Sequence, residues 1–194
     1  MTATKRFKAL LATAMLGCSG LAQATIVEVT TNVGKFEINL YDESTPVTVQ
    51  NFLNYVSSGR YDGTLIHRSI PGFVIQGGGY VFDQELPLKA AATNSPIINE
   101  PKWSNVRATI AMAKRENMPN SATNQWFINL KNNASNLDFQ NSGFTVFGQI
   151  SSTDMAVIDA IAAIPQYKFF VFGPPEPADL PLLNYSDSDY DDNK

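Results

Sequence analysis

The chain is poor in the side chains on which much protein chemistry depends. Its 194 residues include one cysteine and one histidine, and 16% are charged. A single thiol cannot form an internal disulfide, and Cys18 lies in a segment that reads as removable, leaving no thiol in the remainder. His67 stands beside Ser69 with no nucleophile motif around it, so it reads as structural rather than as a general base. Basic clusters are few and the net charge is −4. That balance argues against nucleic acid and anionic membrane as partners. No internal repeat is visible, and the apolar run Ala9 to Leu21 is too short to span a bilayer.

What is present begins with an export signal. Lys5, Arg6 and Lys8 form a basic start, Ala9 to Leu21 an apolar core, and Ala22-Gln23-Ala24 a small-x-small cleavage site. Cleavage after Ala24 leaves a more acidic chain, with 1–24 as signal peptide, 25–185 as one domain and 186–194 as an acidic tail. Met15-Leu16-Gly17-Cys18 offers a second reading, a lipoprotein box displaced by one position; the better-formed Ala-x-Ala site takes precedence. Both readings place the protein outside the cytoplasm, in the periplasm.

At 44% hydrophobic, the domain can bury one substantial core. Val27 and Val29, then Phe36, Ile38 and Leu40, alternate about Asn32-Val33-Gly34 and predict a β-hairpin. Thr45 caps an expected helix starting at Pro46, with Val49, Phe52, Leu53 and Val56 on one stripe and Gly59 as its stop. Residues 80–102 read as a long loop. Further strands are expected at Val106–Ala113, Gln125–Leu130 and Phe144–Ile150. A second helix follows, capped by Ser152 or Thr153, with Met155, Ile158, Ile161 and Ala162 inward. Tyr167–Phe172 and Leu180–Leu183 read as closing strands. Asp187, Asp189 and Asp191 lack the Gly and terminal Glu of a calcium loop, so the tail is expected to be solvated. The pattern is mostly β with two helices.

One stretch concentrates chemistry: Ile66-His67-Arg68-Ser69-Ile70-Pro71-Gly72-Phe73-Val74-Ile75-Gln76-Gly77-Gly78-Gly79. Pro71-Gly72 predicts a tight turn between two strands. Alternation can then bring Arg68 and Gln76 into one groove beside Phe73. Three successive glycines imply a close approach to the backbone or a chain reversal.

This stretch resembles the signature of the cyclophilin-type peptidyl-prolyl isomerases, Phe-His-Arg-(two apolar)-Pro-Gly-Phe-(apolar)-(any)-Gln-Gly-Gly, with departures at Ile66 and Ser69. Met112-Ala113, Asn124-Gln125-Trp126-Phe127-Ile128 and Thr145-Val146-Phe147-Gly148 resemble further motifs of that family, though its frequent Asn after Met-Ala is Lys114 here. The resemblance spans about Ile26 to Leu183. It implies a closed eight-stranded antiparallel β-barrel capped by two α-helices.

It also implies a catalytic Arg68, a proline pocket of Phe73, Val74, Phe127 and Leu137, and groove positions at Gln76, Ala113 and Gln125. Two rim positions depart from many relatives: Asn136 replaces Trp or Phe, and Phe144 replaces His. The implied substrates are proline-containing peptides and unfolded exported proteins. Cyclosporin-type inhibitors are expected to bind weakly for want of the rim Trp, and the protein is expected to be a monomer.

Such a site needs no metal, cofactor or covalent step. Rotation about X-Pro is opposed by amide resonance, with a barrier of about 18–20 kcal/mol. In the twisted state the prolyl nitrogen regains a lone pair, so a guanidinium bonds it more strongly there than in either planar isomer. Two other readings compete: a proline-peptide-binding chaperone with little turnover, and a barrel holding an apolar small molecule. The second conflicts with the bulk of Phe36, Val106, Ile110, Met112 and Phe147, which would fill an interior.

Overall fold

A computed structural model describes residues 24–82, 88–169, 178–186 and 188. The first 23 residues of the expected signal segment, Cys18 included, and all of the expected tail but residues 186 and 188 lie outside that set. The alternating hairpin forms β1 (Ile26–Thr30) and β2 (Lys35–Leu40), followed by α1 (Pro46–Ser57). The central stretch forms β3 (Thr64–Ile70) and β4 (Val74–Val81), with β5 (Lys89–Ala90) beyond. Then come β6 (Thr109–Met112), β7 (Trp126–Asn129), α2 (Ala134–Leu137), β8 (Val146–Ile150) and α3 (Met155–Ala162). The last elements are β9 (Gln166–Phe169) and β10 (Ala178–Pro181).

The main sheet runs β1-β2-β8-β6-β7-β4-β3, with β5 added to β4. It is a curled, open half-barrel. The expected closed barrel is therefore corrected: β9 and β10 pair with each other in a separate two-stranded sheet instead of bridging the open edges. Leu180 of β10 packs with Leu65 and Tyr80, so this hairpin lies beside the β3 edge. Covering an edge protects it from stray pairing as closure does. Val49 and Phe52 of α1 and Met155, Ile158 and Ile161 of α3 join Phe36, Ile38, Ile110, Met112, Ile128 and Phe147 in the main core. The helices thus fill the sheet's concave face.

Several local expectations are also corrected. The expected strand from Val106 starts only at Thr109, because Ala108 takes φ 72° and ends the alternation. Val106 is consequently exposed. Thr45 does not cap α1; Glu100 does, accepting the backbone N–H and the hydroxyl of Thr48 on Oε2, each at 2.8 Å. A carboxylate there also suits the positive end of the helix. Tyr55, not Val56, completes the buried stripe. α3 begins later than expected, with Asp154 at its cap and Ser151 Oγ accepting the Asp154 N–H. The short α2 was not expected at all.

Candidate active site

Pro71 and Gly72 make the turn between β3 and β4. The Phe73 N–H donates to the Ile70 carbonyl at 2.9 Å, and Gly72 takes φ 68°, a conformation that favours glycine. The register that follows sets the site. Arg68 lies opposite Gln76, Gln76 opposite Phe127, Phe127 opposite Ala111, and Ala111 opposite Val146. Directly opposed residues share a face, so this row runs across five strands on one side of the sheet. The adjacent row, Ile75-Ile128-Ile110, faces the core. With strands about 4.8 Å apart, the Arg68 and Phe127 backbones are roughly 10 Å apart, within reach of a long side chain.

Arg68 Nη1 donates to Gln76 Oε1 at 3.4 Å, and Gln76 Nε2 donates to Gln125 Oε1 at 2.8 Å. Partial burial lowers the Arg68 pKa from its usual value, but a guanidinium remains charged. The result is a cation oriented by two amides on an otherwise apolar face.

Beside it lies a second apolar cluster, distinct from the main core. Val74, Ala111, Phe127, Leu137 and Val146 are buried, while Phe73, Ala113, Phe144 and Tyr41 pack against them half-buried. The Phe127 and Phe144 rings meet edge to face, with centroids 5.6 Å apart. A buried floor with half-exposed aromatic walls suits a small apolar ring.

A buried polar network braces these walls. Asn129 Nδ2 donates to Thr109 Oγ1 at 2.9 Å and to Asn105 Oδ1 at 3.3 Å. Asn133 Nδ2 donates to Asn129 Oδ1 at 2.8 Å and to the Phe73 carbonyl at 3.0 Å. Asn105 Nδ2 reaches Asp138 Oδ1 at 2.9 Å and the Phe144 carbonyl at 3.2 Å. The network therefore ties the segments carrying Phe73, Leu137 and Phe144 to β7. Satisfied buried amides fix geometry, whereas partly satisfied ones are costly.

The glycine run reflects close approach. Ile66 and the Trp126 ring crowd the space a Cβ would take at Gly77, the Asn124 carbonyl, Trp126 and Tyr61 do so at Gly78, and a Cβ at Gly79 would lie 2.6 Å from the Gln125 side chain. Gly79 thus makes space for the amide that orients Gln76.

Every residue assigned to the site from sequence falls in one region. Arg68, Gln76 and Gln125 form the polar side, and Phe73, Val74, Ala113, Phe127, Leu137 and Phe144 the apolar side. Asn136, expected at the rim, is exposed on α2. His67 is buried, edge-on against Tyr80 at 4.9 Å and within hydrogen-bonding reach of the Gln125 side chain, and burial lowers its pKa to about 4. Sequence reasoning missed the three bracing asparagines. Asn133 also heads an Asn-Ala-Ser glycosylation triplet, but its burial makes it a poor acceptor.

The geometry agrees with comparisons to known proteins. Residues 26–176 match the family described as cyclophilin type peptidyl-prolyl cis-trans isomerase/CLD. A peptidyl-prolyl cis-trans isomerase of Acinetobacter baylyi is 42% identical over 164 residues, covering 83% of this chain and 84% of that protein. Peptidyl-prolyl cis-trans isomerase A of Dickeya dadantii is 44% identical over 145 residues, covering 73% of each. A solved cyclophilin-type isomerase of Cryptosporidium parvum shares the fold, with a TM-score of 0.61 at 23% identity over 81% of this chain and 94% of that one. The register row, the apolar slot beside it and the sequence match over most of the domain lead to one assignment: the chain belongs to the cyclophilin-type peptidyl-prolyl cis-trans isomerase family.

Proposed function

We propose that the protein accelerates rotation about X-Pro bonds, with Arg68 as the catalytic group and the Phe73, Val74, Phe127, Leu137 and Phe144 slot as the holder of the proline ring. The observation that carries this reading is the single row joining Arg68, Gln76 and Phe127 on one face of the sheet. The slot fixes the ring while the residue before proline stays free to turn. Gln76, Gln125 and Ala113 line the path of the flanking peptide. As the bond twists, the prolyl nitrogen becomes an acceptor, and the guanidinium beside it strengthens its hydrogen bond only then. Orientation and this differential bond supply the acceleration, and no group leaves or joins the substrate.

The substrates proposed are exported proteins folding in the periplasm. This rests on Lys5, Arg6 and Lys8, the apolar run after them and the Ala22-Gln23-Ala24 site. Action as a monomer and weak binding of cyclosporin-type inhibitors are part of the same reading, the latter because an exposed Asn136 replaces an aromatic rim.

That replacement also favours a second reading, a peptide-binding chaperone with little turnover. A protease-free isomerisation assay on an Ala-Pro-containing peptide decides between them. Rapid exchange lost in Arg68→Ala, with peptide affinity retained, establishes the enzyme. Equal, slow exchange in both proteins establishes the binding module.

A further inference from the structure

Lys114 follows directly on Ala113, at the end of β6, and its side chain crosses to the turn before β8. Its Nζ donates to the Asn141 carbonyl at 2.8 Å and to the Gly143 carbonyl at 2.6 Å, and lies 4.8 Å from the centre of the Phe144 ring. The turn it reaches is strained. Asn141, Ser142 and Gly143 take φ 52°, 63° and 75° in succession, and for Ser this left-handed region is unfavourable. A run of this kind persists only where its surroundings hold it.

Those surroundings are specific. Asn99 Nδ2 donates to the carbonyls of Ser142 at 3.0 Å and Gly143 at 2.8 Å, and Asn141 Nδ2 donates to the Arg115 carbonyl at 2.8 Å. Three successive carbonyls therefore converge on donors, and one donor is a full cation. The next residue is Phe144, whose N–H donates to the Leu137 carbonyl and whose ring abuts Phe127. Phe144 thus stands between this turn and the slot, with Asn105 and Leu137 holding its backbone on the far side.

We infer that Lys114 is a positioning residue: its ammonium clamps the strained 141–143 turn to the end of β6 and so sets the Phe144 wall of the slot against Phe127. The consequence for substrate rests on reading the slot as the proline site; the clamp itself does not. A cation is needed, because a neutral amine loses its attraction to the ring and bonds carbonyls more weakly. Among the described residues, no carboxylate pairs with Lys114. Arg115 and Glu116 are exposed on its own loop, Asp138 at the end of α2 is engaged by Asn105, and the 140–143 turn contributes no ionisable group. Burial lowers the Lys114 pKa to about 8, which brings loss of the clamp into an accessible pH range.

The test uses the full domain labelled at phenylalanine, with the Phe144 ring signals assigned by their loss in Phe144→Leu. Between pH 7 and 10 these signals are expected to shift with a single titration in wild type and to stay fixed in Lys114→Arg, which keeps its charge. Signals that ignore pH in wild type, or move equally in Lys114→Arg, overturn the clamp. In isomerisation assays at pH 7, Lys114→Met is expected to raise KM at least fivefold with kcat within twofold, and Lys114→Arg to restore KM. An unchanged KM in Lys114→Met overturns the positioning role, and should that variant fail to fold, the wild-type and Lys114→Arg spectra decide. Whether the slot takes proline is read separately, from whether an Ala-Pro peptide shifts the same ring signals at pH 7.

Discussion

Arg68 and Gln76 are cross-strand partners whose side chains touch, Nη1 lying 3.4 Å from Oε1. The contact is long for a hydrogen bond, so the guanidinium is steered rather than consumed by it. Gln76 is held in turn by Gln125, leaving Arg68 with donors available to a substrate. The catalytic proposal thus depends on a short relay of amides as well as on the cation.

Gly79 tests the relay through space alone. Gly79→Ala would bring a methyl group 2.6 Å from the Gln125 side chain, forcing that amide away from Gln76. Losing one oriented hydrogen bond is expected to lower kcat/KM about tenfold, equivalent to about 1.4 kcal/mol. Steady-state kinetics beside a thermal melt checks this; full activity in a folded variant would show that Gln125 does not orient the site.

Asn129 tests the bracing. It is fully buried and bonds Asn105, Thr109 and Asn133. Asn129→Ala would strand several buried polar groups, so a loss of about 2–4 kcal/mol in stability is expected. Urea unfolding measures it. A loss under 1 kcal/mol would mean the network adds little.

Ser69 works the other way. It stands where the family signature has an apolar residue, is fully buried, and its hydroxyl has no hydrogen-bond partner among the described residues. Ser69→Ala is expected to stabilise the fold by about 1 kcal/mol, raising Tm by about 2–4 °C. A lower Tm would show that the hydroxyl is satisfied.

His67 gives the stability a pH dependence. Its folded pKa of about 4 lies below the unfolded value near 6.5. Between those values the unfolded chain binds the extra proton, so stability rises with pH through that window and is lost as pH falls through it. Urea midpoints from pH 4 to 7 are expected to show this rise in wild type and a smaller one in His67→Gln. Identical profiles would remove His67 as the cause.

The site was more legible in the sequence than the fold around it. Pro71-Gly72 dictates a turn, and alternation on either side suffices to bring Arg68 and Gln76 into one groove beside Phe73, whereas Phe127 was placed at the site by the family resemblance alone. Long-range satisfaction of polar groups leaves no such trace. Glu100 caps a helix that begins 54 positions earlier in the chain, and Asn105, Asn129 and Asn133 look like ordinary loop and strand-end amides until the fold joins them. Barrel closure was inferred from the resemblance, yet whether late strands insert between two edges or pair with each other depends on packing remote from either strand. Lys114 was visible only as a departure from a motif.

The most direct measurement compares wild type with Arg68→Ala in protease-free isomerisation of an X-Pro peptide, with affinity for the same peptide measured alongside. The expected result is a fall in kcat/KM of about 10²–10³-fold, the usual cost of losing a donor that acts in the transition state, with affinity changed less than threefold. Isomerisation that proceeds as fast without the guanidinium would contradict the catalytic role of Arg68.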